Sequence, residues 1–68
     1  MLHNRLKKFR FEKDQITQDE LAGRVGVSRH TILAIENGKF NPSVLLALKI
    51  AAFFNCRVED IFFIEEDK

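Results

Sequence analysis

The stretch TQDELAGRVGVSRHTILAIENGK, residues 17–39, decides the fold of this chain. Thr17 can cap a helix, and Glu20, three residues later, completes the capping-box pattern that marks a helix start. Gly26 tolerates the left-handed backbone that often ends a helix, and Ser28 can cap a following one. The pattern therefore predicts a helix that begins after Thr17, a tight turn, and a second helix over about residues 29–36.

This second helix has an apolar back and a polar front. Ile32 and Ile35 are spaced to face inward, whereas Arg29 and His30 fall on the outer side of its first turn. The pattern leaves the face of Leu33 open. A short helix with a polar leading edge, placed after a tight turn, is how many proteins present a helix to the major groove of DNA.

The flanking segments predict further short helices. Leu2, Leu6 and Phe9 recur at helical spacing, which predicts an amphipathic helix over about residues 3–13. A start signal at residues 41–43 predicts a fourth helix over about residues 44–54. Residues 58–62 are suited to one further helical turn, and residues 62–65 have the composition of a strand.

The fourth helix is apolar nearly all round. One stripe is predicted to face the core and contains Val44, Leu46, Ala47, Ile50, Ala51 and Phe54. A single small core cannot also cover a second apolar stripe and the apolar residues up to Ile64. We therefore expect these residues to contact a second subunit. The predicted dimer interface lies within about residues 45–64, with strand pairing near its end, and contains Leu45, Leu48, Ala52, Ile61, Phe62, Phe63 and Ile64.

Composition narrows the class of protein. A chain of 68 residues predicts one domain, whose core alone supplies about 3–5 kcal/mol, so oligomerisation is the expected supplement. Its single cysteine excludes an intrachain disulfide, and His3, His30 and Cys56 lack metal-ligand spacing, so we expect neither metal nor cofactor. The chain shows neither an apolar run of membrane-spanning length nor a secretory signal, so a soluble cytoplasmic protein without membrane association is expected.

Charge is unevenly distributed along the chain. The formal net charge is +1, but residues 1–57 carry ten Lys/Arg against five Asp/Glu, a balance of +5. Residues 58–68 carry five Asp/Glu against Lys68, a balance of −4. Because the local potential depends on where charge lies, such a chain can present a basic face to a polyanion despite its small total.

With these residues in hand, the chain resembles the Cro/C1-type helix-turn-helix family of phage and bacterial repressors. The resemblance covers about residues 4–62. One departure is the connection between Arg10 and Thr17, which is one residue longer than usual and carries Asp14–Gln15. The motifs that carry the resemblance are Thr17–Ala22, Val25–Ser28, Ile35–Lys39, Pro42–Ser43, Leu48–Ala51 and Val58–Phe62.

The resemblance implies an all-α, five-helix lambda-repressor-like domain over residues 1–68, with the helix-turn-helix at about 18–36. It also implies that Glu36 pairs with Arg10. Side chains at the front of the third helix would contact bases, and these are Ser28, Arg29, His30, Thr31 and Ala34. Side chains on either side of it would contact phosphates, and these are Gln18, Asn37, Lys39 and Asn41.

The leading hypothesis is a homodimeric transcriptional regulator, acting as a repressor on a near-palindromic operator in double-stranded DNA. The alternative is an antitoxin-like or anti-regulator module that binds a partner protein through its C-terminal apolar patch. DNA binding would then be a secondary activity. No small-molecule ligand is evident. Enzyme activity is not expected, because no nucleophile–base constellation or glycine-rich phosphate loop is present.

Overall fold

A computed structural model describes residues 2–65, which form five helices and one two-stranded sheet. The predicted all-α helix-turn-helix fold is confirmed, with the short C-terminal strand. The longest described helix has 10 residues, and none in residues 2–65 is long and apolar enough to cross a membrane. The elements in chain order are β1 (Leu2–Asn4), α1 (Leu6–Glu12), α2 (Gln18–Val25), α3 (Arg29–Glu36), α4 (Val44–Phe53), α5 (Val58–Ile61) and β2 (Phe62–Ile64).

Side-chain caps fix where three of the helices begin. The Thr17 hydroxyl accepts a hydrogen bond from the Glu20 backbone N–H at 3.0 Å, and the Glu20 carboxylate accepts one from the Thr17 N–H at 3.2 Å. This reciprocal pair is the predicted capping box, and it starts α2. The hydroxyls of Ser28 and Ser43 accept from backbone N–H groups in the first turns of α3 and α4. The start of each helix is therefore encoded locally.

Left-handed residues fix where α3 and α4 end. Gly38 has φ 73°, and its N–H donates to the Ile35 carbonyl at 3.0 Å. The Lys39 N–H donates to the Ala34 carbonyl at 2.9 Å, which completes a Schellman motif at the end of α3. Asn55, with φ 55°, takes the same position after α4. Each motif turns the chain back sharply against the helix that it ends.

The N-terminus corrects the sequence prediction, because residues 2–4 form a strand where a helix was expected from residue 3. β1 pairs antiparallel with β2, and His3 lies opposite Phe63 in this register. The Arg5 N–H then donates to the Ile61 carbonyl at 2.8 Å, and α1 begins only at Leu6. The helical spacing of the leucines was misleading because the strand's partner lies at the other end of the chain.

The core is built from all five helices and β2, and it corrects two further predictions. Val44 was assigned to the inner stripe of α4 but is 77% exposed, so it joins the outer face with Leu45, Leu48 and Ala52. Ile61 is fully buried and Phe62 is 7% exposed. Ile61 therefore lies wholly in the core of its own protomer, and Phe62 reaches the surface only at an apolar groove that Leu48 also lines. The fully buried large side chains are Leu6, Leu21, Ile32, Ile35, Ile50 and Ile61.

A largely buried ion pair, together with a glutamine bonded to it, joins three of the helices. Arg10 on α1 donates from Nε and Nη2 to the two carboxylate oxygens of Glu36 on α3, at 2.6 and 3.0 Å. Its remaining Nη1 donates to the Ile16 carbonyl at 2.9 Å, and Gln18 Nε2 donates to Glu36 Oε1 at 3.0 Å. The two charged side chains are only 11% and 5% exposed. The pair implied by the resemblance is therefore confirmed, in the two-pronged geometry that makes such pairs strong.

We expect Glu36→Ala to lower the free energy of unfolding by about 3 kcal/mol, because it leaves the buried Arg10 charge without its partner. Urea denaturation followed by circular dichroism measures the change. Glu12→Ala, which removes an exposed carboxylate from α1, is the matched control and should change stability by less than about 0.5 kcal/mol. Equal losses in the two variants would contradict this account of the ion pair.

Candidate nucleic-acid interface

α3 presents a continuous outer face because its two isoleucines pack into the core on the opposite side. Ile32 and Ile35 are 0% and 1% exposed, and they lock the helix against the rest of the protein. Arg29 and His30 are exposed at the first turn, and Asn37 is exposed just beyond the last. A short helix whose inner face packs on the core and whose outer face is exposed has the shape required to enter the major groove.

Two hydroxyls at the start of α3 are already engaged within the protein. Ser28 Oγ accepts from the Thr31 N–H at 3.2 Å and lies 3.1 Å from Thr31 Oγ1. Arg29 and His30, by contrast, have no side-chain hydrogen-bond partner among residues 2–65. Among the predicted base contacts, the hydrogen-bond donors of Arg29 and His30 are therefore free of partners within the described residues. The hydroxyls of Ser28 and Thr31 already bond to each other and would have to bond to a base in addition.

Gln18 and Arg29 face the same surface cleft. This cleft lies between the start of α2 and the front of α3, and Thr17 and Asp19 also line it. Gln18 is held in place by its hydrogen bond to Glu36, so its position relative to α3 is fixed in the free protein. The structure thus brings together one predicted phosphate contact and one predicted base contact.

The other predicted phosphate contacts lie beyond the opposite end of α3. Asn37, Lys39 and Asn41 are all exposed in the connection to α4. The Schellman motif at Gly38 fixes the direction of this connection. Polar side chains therefore flank the outer face of α3 at both ends. That arrangement suits a helix positioned by phosphates on two sides of a groove.

Phe40 lies beside these residues, and the sequence pattern did not mark it. It is 47% exposed and shares a cleft of about 230 Å³ with His30, Thr31 and Ala34. Leu33, whose face the pattern left open, is 36% exposed. In the sequence, Phe40 is unusual only because it is an aromatic residue directly after the end of a helix. A polar residue is more common at such a position.

The described residues offer no grouping suited to a metal. Among residues 2–65, no three His, Cys, Asp or Glu side chains lie close enough together to hold an ion. Cys56 is half-buried, and burial, followed by the charge of Asp60, raises the pKa of its thiol. A raised pKa keeps the thiol protonated at neutral pH, which disfavours metal ligation and nucleophilic chemistry there.

Comparison with known proteins shows that the chain is similar to helix-turn-helix transcriptional regulators. The profile of the helix-turn-helix family matches residues 6–61. HTH-type transcriptional regulators of Archaeoglobus fulgidus and Methanocaldococcus jannaschii are 52% and 51% identical over 67 residues, 98% of this chain. The match covers 93% and 100% of those relatives. A crystal structure of a candidate DNA-binding protein from Bacteroides fragilis has a TM-score of 0.79 and 28% identity, and the match covers 93% of this chain and all of that one.

A more distant relative has a named regulatory role. It is the transcriptional repressor RstR of the cryptic phage CTXphi in Vibrio cholerae, which is 30% identical over 61 residues. The match covers 90% of this chain but 54% of that repressor. The likeness therefore concerns the helix-turn-helix part of a longer protein.

We expect Lys39→Ala to weaken binding to a random-sequence DNA duplex and to make it less sensitive to salt. Removing one phosphate contact from each bound protomer should reduce the slope of log K against log salt by about one unit per protomer. Fluorescence anisotropy over a salt series measures the slope. The control is Lys13→Ala, since Lys13 lies on the ring of Phe53 and bonds to its carbonyl, away from α3. A slope unchanged by Lys39→Ala would assign Lys39 no phosphate contact.

Proposed function

The chain belongs to the Cro/C1-type helix-turn-helix family of DNA-binding transcriptional regulators, which are not enzymes, and we propose that it is a homodimeric repressor of a near-palindromic operator. The observation that carries the proposal is the outer face of α3, with Arg29 and His30 exposed at its leading edge between Gln18 and Lys39. Action on DNA would place the protein in the cytoplasm.

Base reading is proposed to centre on Arg29. Its guanidinium carries several donors in a fixed fork and can donate two hydrogen bonds to O6 and N7 of guanine. His30 is its exposed neighbour and can donate or accept according to its tautomer. Ser28 and Thr31 would contribute through hydroxyls shared with each other, and Ala34 through its methyl group.

We propose that phosphate contacts on both sides of α3 fix the position of this helix along the DNA. Gln18, at the first turn of α2, would bind one phosphate, and a helix N-terminus favours an anion there. Asn37, Lys39 and Asn41 would bind the backbone at the other end of α3. Such contacts orient the reading helix and carry no base preference.

Dimerisation is proposed to bury the outer face of α4 and the sheet end against a second copy. Val44, Leu45 and Leu48 are 77%, 63% and 54% exposed, and Ile64 is 76% exposed. Leu2, Val44 and Leu48 also line an apolar groove of about 430 Å³. Contiguous apolar surface of this kind is typical of an interface. The predicted contacts Leu45, Leu48, Ala52 and Ile64 fit this surface.

Phe63 also belongs to the predicted chain-end contacts, and its own protomer partly covers it. The Arg5 guanidinium lies 4.1 Å from the centre of its ring, and the His3 ring stacks on it at 5.7 Å. Each strand of the two-stranded sheet has one pairing edge unused among residues 2–65. A second copy could add its strand there, which is the pairing proposed near Phe63.

Two-fold symmetry would present two copies of α3 at half-sites about 34 Å apart, one DNA turn. The proposal of repression rather than activation is supported by the likeness to RstR. An alternative remains for the same apolar face: a different protein could cover it, as in an antitoxin-like or anti-regulator module. The oligomeric state separates these two hypotheses.

Selection of bound sequences from a random DNA pool is the primary test of operator recognition. On the selected site, Arg29→Ala should cost about 1–3 kcal/mol and relax the preference at one base pair per half-site. The control is Arg24→Ala, which removes an exposed arginine from α2 and should leave base preference unchanged. Equal losses on selected and random DNA would reassign Arg29 to phosphate binding.

We expect Leu48→Glu to shift the protein from dimer to monomer, because it would bury a charge in the proposed interface. Sedimentation equilibrium measures the shift, and affinity for a full palindrome should fall far more than affinity for a half-site. Phe11→Glu, at a 55% exposed position on α1, is the control and should remain dimeric. A wild-type protein that stays monomeric on and off DNA would contradict the dimer and favour the protein-interaction module.

A further inference from the structure

We propose that Phe40, together with Thr31 and Ala34, forms a receptor for the 5-methyl group of a thymine in the operator. Phe40 would then be a specificity-determining residue that lies outside the reading helix. The inference rests on the proposed function, because it requires α3 to lie in the major groove. It adds a preference for thymine that is read through an apolar contact with the methyl group and not through a hydrogen bond.

The end of α3 brings Phe40 to this position. The Lys39 N–H bonds to the Ala34 carbonyl, so the chain folds back over the last turn of the helix. Phe40, the next residue, consequently lies beside Ala34 although six positions separate them. Gly38, with φ 73°, makes this return possible, and a bulkier residue would be strained there.

The cleft is suited to a small apolar group. Its exposed lining is almost entirely apolar, and it is contributed by His30, Thr31, Ala34 and Phe40. Phe40 is 47% exposed, so nearly half of its surface is open to an incoming group. Thymine is the only base that places a methyl group in the major groove, where side chains of this kind contact it.

Neighbouring residues favour DNA as the occupant. His30, Thr31 and Ala34 are also proposed base contacts, so the cleft is continuous with the reading surface. Lys39 and Asn41, the neighbours of Phe40 in the chain, are exposed and are proposed to bind phosphate. An apolar side chain that lies between two residues bound to DNA phosphates is well placed to reach a base edge. The two phosphate contacts would set its distance from the duplex.

The test uses the full-length protein and the operator selected from a random pool. Each thymine is replaced singly by uracil, which keeps the base pair and removes only the methyl group. For wild type, one position per half-site should lose affinity about fourfold, which corresponds to about 0.8 kcal/mol for one buried methyl group. For Phe40→Ala, uracil at that position should have almost no further effect, so that the two losses do not add.

The matched control is Phe11→Ala, which truncates a phenylalanine that is 55% exposed on α1 and does not line the cleft. It should retain the full uracil penalty. Thermal unfolding of both variants checks that the fold is intact. A purely structural role for Phe40 would lower affinity for thymine and uracil sites alike and leave their ratio unchanged.

Three outcomes would overturn the inference. A clear consensus with the same uracil penalties in wild type and Phe40→Ala would overturn it alone and leave the proposed function standing. Conversion of Phe40→Ala to a monomer with unchanged penalties would assign Phe40 to contact with a second copy of the chain. A pool that yields no consensus would overturn the proposed function, and this inference with it.

Discussion

The Arg10–Glu36 ion pair is the interaction on which the placement of α3 against α1 and α2 depends. Glu36 is the last residue of α3, and its carboxylate accepts from Arg10 on α1 and from Gln18 on α2. Arg10 also holds the Ile16 carbonyl in the connection between those two helices. Three helices thus meet at the Glu36 carboxylate, and the Arg10 guanidinium also holds the connection between α1 and α2. Because the two side chains are almost fully buried, removing either one would leave an uncompensated charge in the protein interior.

The elements that could be predicted from sequence are those encoded within a few residues. The capping box at Thr17, the cap at Ser28 and the start signal at residues 41–43 gave the starts of α2, α3 and α4, and Gly26 gave the end of α2. The errors arose where a distant partner decides the outcome. β1 exists because β2 lies beside it, and a residue spacing that suits a helix cannot reveal that pairing. Periodicity also could not show which of two apolar stripes on α4 is inward, so Val44 was misassigned.

The residues of the candidate site divide in the same way, into those that local sequence predicts and those whose placement depends on the folded structure. The order of motifs along the chain was sufficient to mark Arg29 and His30, because a helix of eight residues leaves few faces to choose from. It could not show that Ser28 and Thr31 bond to each other, since this depends on side-chain rotamers. Phe40 went unmarked because its place beside Ala34 results from a sharp backbone return and not from helical spacing. Ile61 and Phe62 were predicted as dimer contacts although they are buried within the protein itself, because apolar composition alone does not distinguish a core from an interface.

The pairing of β1 with β2 has a consequence for the order in which the protein is made. Local helices such as α2 and α3 can form early during synthesis, because their caps and turn lie within one short segment. β1 is translated first, but it must wait for the strand that ends at Ile64 to leave the ribosome. The Asn4 amide, which bonds to the Ile35 carbonyl in the last turn of α3, then takes its place late as well. The sheet beside α3 is therefore completed only after every helix of the domain has been synthesised.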